Sequence, residues 1–391
     1  MELLKDKIKR KQIIYTYIVF TINGMLALSI GSLLPFIRDA RGLEYDFCGL
    51  IVSIHSVGNL ISSFFAGTFA VMFGRRKSIL IFNIFFTIAY LLIVAGDNNM
   101  FLLLAFLLTG LARGATSNFC NASINGIATG NVGVLNGLHA MFSIGAFSFP
   151  ILLTVITAAG ADRWVSAVYF MIVMGVLSWV LYAIMPVDEG IVKKKEGDQG
   201  TFEFLKEPMF GLCTATLFFY LCAEQGVIGW MITYFKDTGL ISEGLAQITA
   251  SVLWIMILAG RLSTAWLSTR VRKSNLLRIM GIGLVLFFIM LITGKVTWWI
   301  IIGIMGFGYS MAGIYPTTVS FAGHVIKKYP MAWSFMLTIA SSGSIIMPSI
   351  IGKIAGSAGI FYGMSSIVIV VVIDMVLIFS LTSYMKRNNL D

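Results

Sequence analysis

Apolar residues in this chain run in twelve long blocks, at approximately 13–37, 46–73, 79–96, 100–125, 133–158, 164–185, 207–235, 245–270, 275–293, 298–323, 332–356 and 361–384. Each approaches or exceeds the roughly 20 residues that cross a bilayer as a helix. In hydrocarbon every backbone N–H and C=O must find its partner inside the segment, so these blocks predict helices. The short alternating pattern of a membrane β-barrel is absent from the sequence. The expected fold class is an all-α membrane protein with twelve transmembrane helices.

The polar positions between the blocks divide and orient the chain. The longest polar stretch, 187–206, carries Lys193, Lys194 and Lys195 and reads as a cytoplasmic linker. It would join a six-helix bundle at 1–186 to a second at 207–391. Of 28 basic residues, 20 fall on the side of the termini and 6 on the other, and Arg113 and Arg261 lie inside blocks. Basic residues mark cytoplasmic loops, so both termini are expected in the cytoplasm. The compact loops favour a bacterial inner membrane, with lipid as the surrounding partner.

Composition then narrows the function. Apolar residues make up 58% of the chain and charged residues 12%, with a mean hydropathy of +0.90. A soluble domain has about 25% charged residues, so soluble enzymes, nucleic-acid binders and secreted disulfide scaffolds are excluded. The net charge of +10 follows from the loop bias and needs no polyanionic partner. Cys48, Cys120, Cys213 and Cys222 stand in apolar runs without metal-like spacing and read as small core residues. The basic start Met1–Lys11 leads into an apolar stretch too long for a signal peptide.

The halves also match each other at a constant offset of 198 residues. Gly31 pairs with Gly229, Arg38 with Lys236, Asp39 with Asp237, Gly110 with Gly308, Gly145 with Gly343, and Pro150 with Pro348. One register shared by three pairs of blocks suggests a parallel repeat. Transporters built from such repeats hold their substrate at the repeat interface.

Over nearly its full length the chain resembles the major facilitator superfamily. Gly67-Thr-Phe-Ala-Val-Met-Phe-Gly74-Arg75-Arg76-Lys77 resembles that superfamily's loop between spans two and three, with Val71 and Met72 in place of its Asp and first Arg. The basic end, Arg75 and Arg76, keeps the gating position that the resemblance implies. Three further segments resemble the fucose–galactose–glucose:proton symporter group and its bacterial relatives. They are Asn136 to Gly145 with Pro150, Glu224 through Trp230 to Tyr234, and Gly306 to Ser310 with Pro316. Ser117 stands where those symporters have a span-four acid, and Thr21–Leu34 lacks their span-one aspartate. The resemblance implies that spans 1, 2, 4, 5, 7, 8, 10 and 11 line a central cavity and that 3, 6, 9 and 12 pack outside.

Helical periodicity supplies a separate check. Arg113, Ser117 and Cys120 recur at i, i+4, i+7; so do His55, Asn59 and Ser62; Asn136, His139 and Ser143 recur at i, i+3, i+7. Polar stripes on apolar helices avoid lipid. Arg113 lies roughly 20 Å into its span at 1.5 Å per residue. A central Arg costs about 2.5–3.5 kcal/mol to insert, so something compensates. It is either a forked donor to a substrate oxygen, as Ser117, Asn121, Asn136 and His139 could also be, or half of a structural ion pair with Glu224. Glu224 is the acid placed deep in a cavity-lining span and is the candidate proton carrier. His55 and His139 are alternative carriers or lining residues. Trp230, Tyr234 and Trp254 either stack on a sugar or pack the core. Arg261 reads as a gate or packing contact, and Asp374, in a peripheral span, as half of a structural pair.

The expected function is proton-coupled secondary transport of a small polar solute, a sugar or related metabolite or organic anion, by a monomer. Without the span-one and span-four acids, the symporters' proton mechanism does not carry over intact. The rival is an exporter of amphipathic drugs or metabolites, favoured by 21 Met and the missing acids. No metal cluster, cofactor motif or nucleophile–base arrangement points to an enzyme. Cysteine-labelling should find positions 194 and 386 on the cytoplasmic face and positions 41 and 236 on the opposite one. Labelling of 194 and 386 from opposite faces would overturn the twelve-span reading.

Overall fold

The computed structural model describes residues 6–96, 98–128, 132–186 and 202–388. Among them there is no strand. The helices are α1 (Lys7–Arg41), α2 (Tyr45–Phe73), α3 (Arg75–Ala95), α4 (Asn99–Ala128), α5 (Val132–Thr157), α6 (Trp164–Ile184), α7 (Pro208–Thr238), α8 (Glu243–Leu267), α9 (Lys273–Thr293), α10 (Thr297–Met311), α11 (Ile314–Lys328), α12 (Pro330–Ala358) and α13 (Ile360–Arg387). Twelve segments are long and apolar enough to cross a membrane, matching the twelve apolar blocks.

The tenth block departs from expectation. It is continuous in hydropathy over Thr297–Lys328, yet it forms two helices that meet at Ala312 and Gly313. Although Pro35, Pro150 and Pro348 lie within helices that stay continuous, Pro316 contributes. It has no N–H to donate to the carbonyl four residues back, that of Ala312, and its ring crowds that carbonyl. Gly313, at φ −94° and ψ −11°, carries the bend.

The chain divides into two compact units, Met1–Ala40 with Leu50–Lys195, and Arg41–Gly49 with Glu196–Asp391. The expected linker lies, over 187–201, outside the described residues. Its last five residues, Phe202–Lys206, form a 3-10 turn belonging to the second unit. Phe204 is fully buried there, 4.9 Å from Phe210 and 5.5 Å from Phe335 between ring centroids.

Local chemistry explains the helix ends. α7 starts with Pro208 in its first turn, where the missing N–H costs nothing. It stops at Gly239, whose φ of 63° suits a residue without Cβ. Ser242 then caps α8, its side chain accepting from the Leu245 amide at 3.4 Å. Lys236 and Glu243 pair across this turn at 3.0 Å. In the first unit, Arg76 donates to the carbonyls of Ala183 (2.7 Å) and Met185 (2.9 Å), closing the C-terminal end of α6. That contact gives Arg76 a structural task beside the gating role expected of it.

Glycines set the helix spacing, and they do so in the repeat's register. A side chain on Gly110 of α4 would strike the His55 carbonyl of α2. One on Gly308 of α10 would strike the Leu253 carbonyl of α8. His55 and Leu253 are themselves 198 apart. Gly145 of α5 lies on the Thr21 carbonyl of α1, and Gly343 of α12 lies on the Phe218 carbonyl of α7, one residue off the strict offset. Each unit is thus built on the same small-residue contacts, as expected where lipid leaves close packing to hold helices together.

Gly110→Val should therefore force α2 and α4 apart, at a cost of about 1–3 kcal/mol. Melting in detergent should show a clear loss of thermal stability. Gly67→Ala, where nothing lies within 4 Å of the added carbon, should melt like wild type. Equal melting of all three proteins would overturn the close-contact reading.

Candidate functional site

Each unit gathers polar side chains along its helices. In the first, His55 is buried and its Nδ1 lies 2.9 Å from the Thr109 hydroxyl. Thr109 already donates its one hydroxyl proton to the Phe106 carbonyl at 2.7 Å, so its oxygen accepts and His55 Nδ1 carries the hydrogen. Nε2 is then the acceptor of a neutral imidazole. It faces the Arg113 Nη1 at 3.5 Å, a long contact. His55, expected as a proton carrier or lining residue, thus has one ring nitrogen on Thr109 and the other facing Arg113.

One turn along α4, Asn23 donates from Nδ2 to the Ser117 hydroxyl at 2.9 Å. Asn23 escaped the sequence reading, which searched that stretch of α1 for an acid. Its signal was a lone amide in an apolar run. Asn121 donates to the Ser117 carbonyl of its own helix at 2.8 Å. Asn136 and His139 of α5 are exposed, and the His139 ring meets the edge of Phe20 at 6.0 Å. Cys120 leaves the Arg113 stripe, lying 3.1 Å from the Tyr182 hydroxyl of α6. Arg75 borders a small recess with Gln12 and Tyr182.

In the second unit Glu224 is half-buried on α7, and its Oε1 accepts from the Tyr220 hydroxyl at 3.0 Å. Tyr220 and Tyr315 have ring centroids 6.0 Å apart. Arg261 interacts electrostatically with both tyrosines, and Glu224 with both as well. The helix break explains this gathering. Tyr315 stands just beyond it on α11, and Gly260, beside Arg261, packs directly on Tyr309 and Ala312 at the break. Arg261, expected as a gate or packing contact, therefore stands with the Glu224 cluster. Tyr220 and Tyr315 were missed by the sequence reading. The signals were present: Tyr220 is one turn from Glu224, and Tyr315 is Ser117 shifted by 198.

Other candidates stand elsewhere. Trp230 and Tyr234 are fully buried. The Trp230 indole donates to the Pro348 carbonyl at 3.1 Å, and the Tyr234 hydroxyl to the Ile292 carbonyl at 3.3 Å. Both side chains, expected to choose between sugar stacking and packing, are thereby held in packing contacts. Trp254 is 4% exposed. Asp374 is fully buried on α13, and neither carboxyl oxygen has a hydrogen-bond partner, so the expected structural pair is not formed among the described residues. No group of three potential metal ligands occurs among the described residues.

Set beside known proteins, the chain matches the sequence model of the Major Facilitator Superfamily over residues 16–348. The glucose/mannose transporter GlcP of Bacillus subtilis (strain 168) is 22% identical over 355 residues, 87% of this chain and 86% of its own length. The membrane protein MosC of Rhizobium meliloti is 23% identical over 352 residues, 87% of this chain and 83% of its own length. Among solved structures, the nucleoside transporter NupG aligns with a TM-score of 0.75 at 15% identity, over 97% of this chain and 99% of its own. A bacterial homologue of the human lysosomal transporter Spinster aligns with a TM-score of 0.75 at 14% identity, over 95% of this chain and 96% of its own. With twelve spans, paired units in one repeat register and a family match across most of its length, the chain belongs to the Major Facilitator Superfamily.

Proposed function

We propose that the protein is a proton-coupled transporter of a small polyhydroxylated solute, a sugar or a close relative. The observation that carries this reading is the Tyr220–Glu224–Tyr315–Arg261 constellation. A carboxyl at mid-depth that can be ionised beside an arginine, or protonated with a tyrosine donor still in reach, is the element a proton-coupled cycle needs. Phenol and guanidinium groups suit sugar hydroxyls, which both donate and accept. The likeness to a transporter named for glucose and mannose supports the same class.

In this reading Glu224 takes up the proton, and Arg261 is its counter-ion within the unit. Protonation of Glu224 releases Arg261 toward a substrate oxygen, which links the proton to the solute. Arg113, aimed by His55, is the substrate donor of the first unit, with Ser117 and Asn23 beside it. Asn121, Asn136, His139 and Trp254 remain proposed lining residues, and Arg75 a proposed gating residue. Trp230 and Tyr234 are left out of the site because packing contacts hold their polar atoms. The bias of basic residues toward the loops on the termini's side supports an orientation with both termini in the cytoplasm.

Proteoliposomes loaded with radiolabelled glucose or mannose test this. Glu224→Gln should abolish accumulation driven by a pH gradient while leaving counterflow largely intact. Arg113→Lys should weaken half-maximal counterflow by more than about tenfold, since a point charge cannot replace the planar fork and a charge-assisted contact is worth about 1.5–3 kcal/mol. Accumulation by the Gln variant would overturn the coupling role of Glu224, and wild-type transport of neither sugar would overturn the substrate class.

Trp230→Phe should separate packing from binding. It removes the hydrogen bond to the Pro348 carbonyl, at a cost of about 1 kcal/mol in stability. Melting should fall, while the sugar concentration giving half-maximal counterflow stays at the wild-type value. A weakened affinity with unchanged melting would return Trp230 to the binding site.

A further inference from the structure

An open groove of about 800 Å³ lies in the second unit between α7, α9 and α13. Its chemistry changes along α13. Met375, Val376 and Phe379, with Leu212 and Ile282 across the groove, form an apolar stretch. Ser380, Ser383, Tyr384 and Arg387 follow toward the end of the helix. The change from hydrocarbon to hydroxyl to cation takes place over roughly 18 Å of helix, at 1.5 Å per residue.

Arg278 of α9 completes the polar end. Its Nε donates to the Thr382 hydroxyl at 2.7 Å and its Nη2 to the Ser383 hydroxyl at 3.0 Å. The guanidinium carbon lies 5.3 Å from the Phe379 ring centroid. These contacts hold the guanidinium next to Ser383, which lines the groove, and the hydroxyls they use are neutral. Among the described residues no acid pairs with Arg278 or Arg387. α9 contains no Asp or Glu, and neither do residues 375–388 of α13. Lys386, bonded to the Asn275 side chain at 3.2 Å, adds a further cation beside them.

We infer that this groove is a binding site for an anionic glycerophospholipid, its phosphate on Arg278 and Arg387 and an acyl chain along Val376, Phe379 and Ile282. Charge complementarity decides between lipids. Two guanidinium groups with no acid partner among the described residues attract a headgroup with net negative charge, and a zwitterionic headgroup brings its own cation to the same place. Arginine forks match phosphate oxygens bidentately. Basic pockets between spans on the cytoplasmic side recognise anionic headgroups. The charge bias assigns this end of α13 to that side. The apolar stretch belongs to a helix long and apolar enough to cross a membrane, which suits a lipid chain better than a soluble ligand.

Native mass spectrometry of the purified full chain in neutral detergent tests this with equimolar phosphatidylglycerol and phosphatidylcholine. Wild type should retain phosphatidylglycerol in preference. Arg278→Gln with Arg387→Gln should cut that preference by at least about tenfold, the loss of one or two charge-assisted contacts. Arg387→Gln alone, at an exposed position, should lower it in a protein whose fold is not in question. Val376→Trp should displace phosphatidylglycerol by filling the groove. Lys295→Gln, outside the groove, should keep the wild-type preference. Equal retention of the two lipids by wild type, or an unchanged preference in the Arg387 variant, overturns the site. Inorganic phosphate that competes as well as phosphatidylglycerol reduces it to an anion site and overturns the lipid assignment.

Discussion

In hydrocarbon a polar group has no water to fall back on, and the whole of this structure follows from that constraint. Backbone groups are satisfied within helices, eleven of the twelve candidate spans being continuous and the tenth split at Ala312 and Gly313. Helices cohere through close approach rather than through any gain from burying oil in oil. Hence Gly110 sits on the His55 carbonyl, Gly145 on that of Thr21, and their counterparts Gly308 and Gly343 on those of Leu253 and Phe218. Polar side chains turn inward and find one another. Ser29 and Tyr90 hydrogen-bond between α1 and α3, and Asn83 donates to Ser178 between α3 and α6.

The same scaffold carries different chemistry in its two copies. Position 117 is a serine that accepts from Asn23, and its counterpart 315 is a tyrosine beside Tyr220. The first unit holds a cation facing a neutral histidine. The second holds a carboxylate with two phenols and an arginine. Packing is repeated between the units while the polar residues it carries have diverged. Fold and site are separable for that reason, and fold-level likeness to nucleoside or sugar transporters does not fix the solute.

The break between α10 and α11 ties the second cluster to backbone geometry. Pro316 removes a hydrogen bond from the Ala312 carbonyl, and Gly260 lets α8 approach at that level. Arg261 and Tyr315 meet because one follows the glycine and the other follows the break. A helix defect in a membrane is tolerated where protein surrounds it, and here it is used to turn a side chain.

The sequence by itself determined the number of spans and carries the 198-residue register. Those features rest on transfer free energies and local sterics, which act residue by residue. It also marked Arg113 and Glu224, because a charge amid apolar residues is conspicuous wherever the chain goes. Only the tertiary structure decided their company. Arg113 faces His55 rather than standing alone on its stripe, and Arg261 joins Tyr220, Tyr315 and Glu224, residues from three helices. It also set the polar tips of Trp230 and Tyr234 on carbonyls of α12 and α9. Spacing along one helix tells which residues share a face. Which face meets which neighbour depends on how far each glycine contact lets two helices approach, and that is a property of pairs distant in sequence.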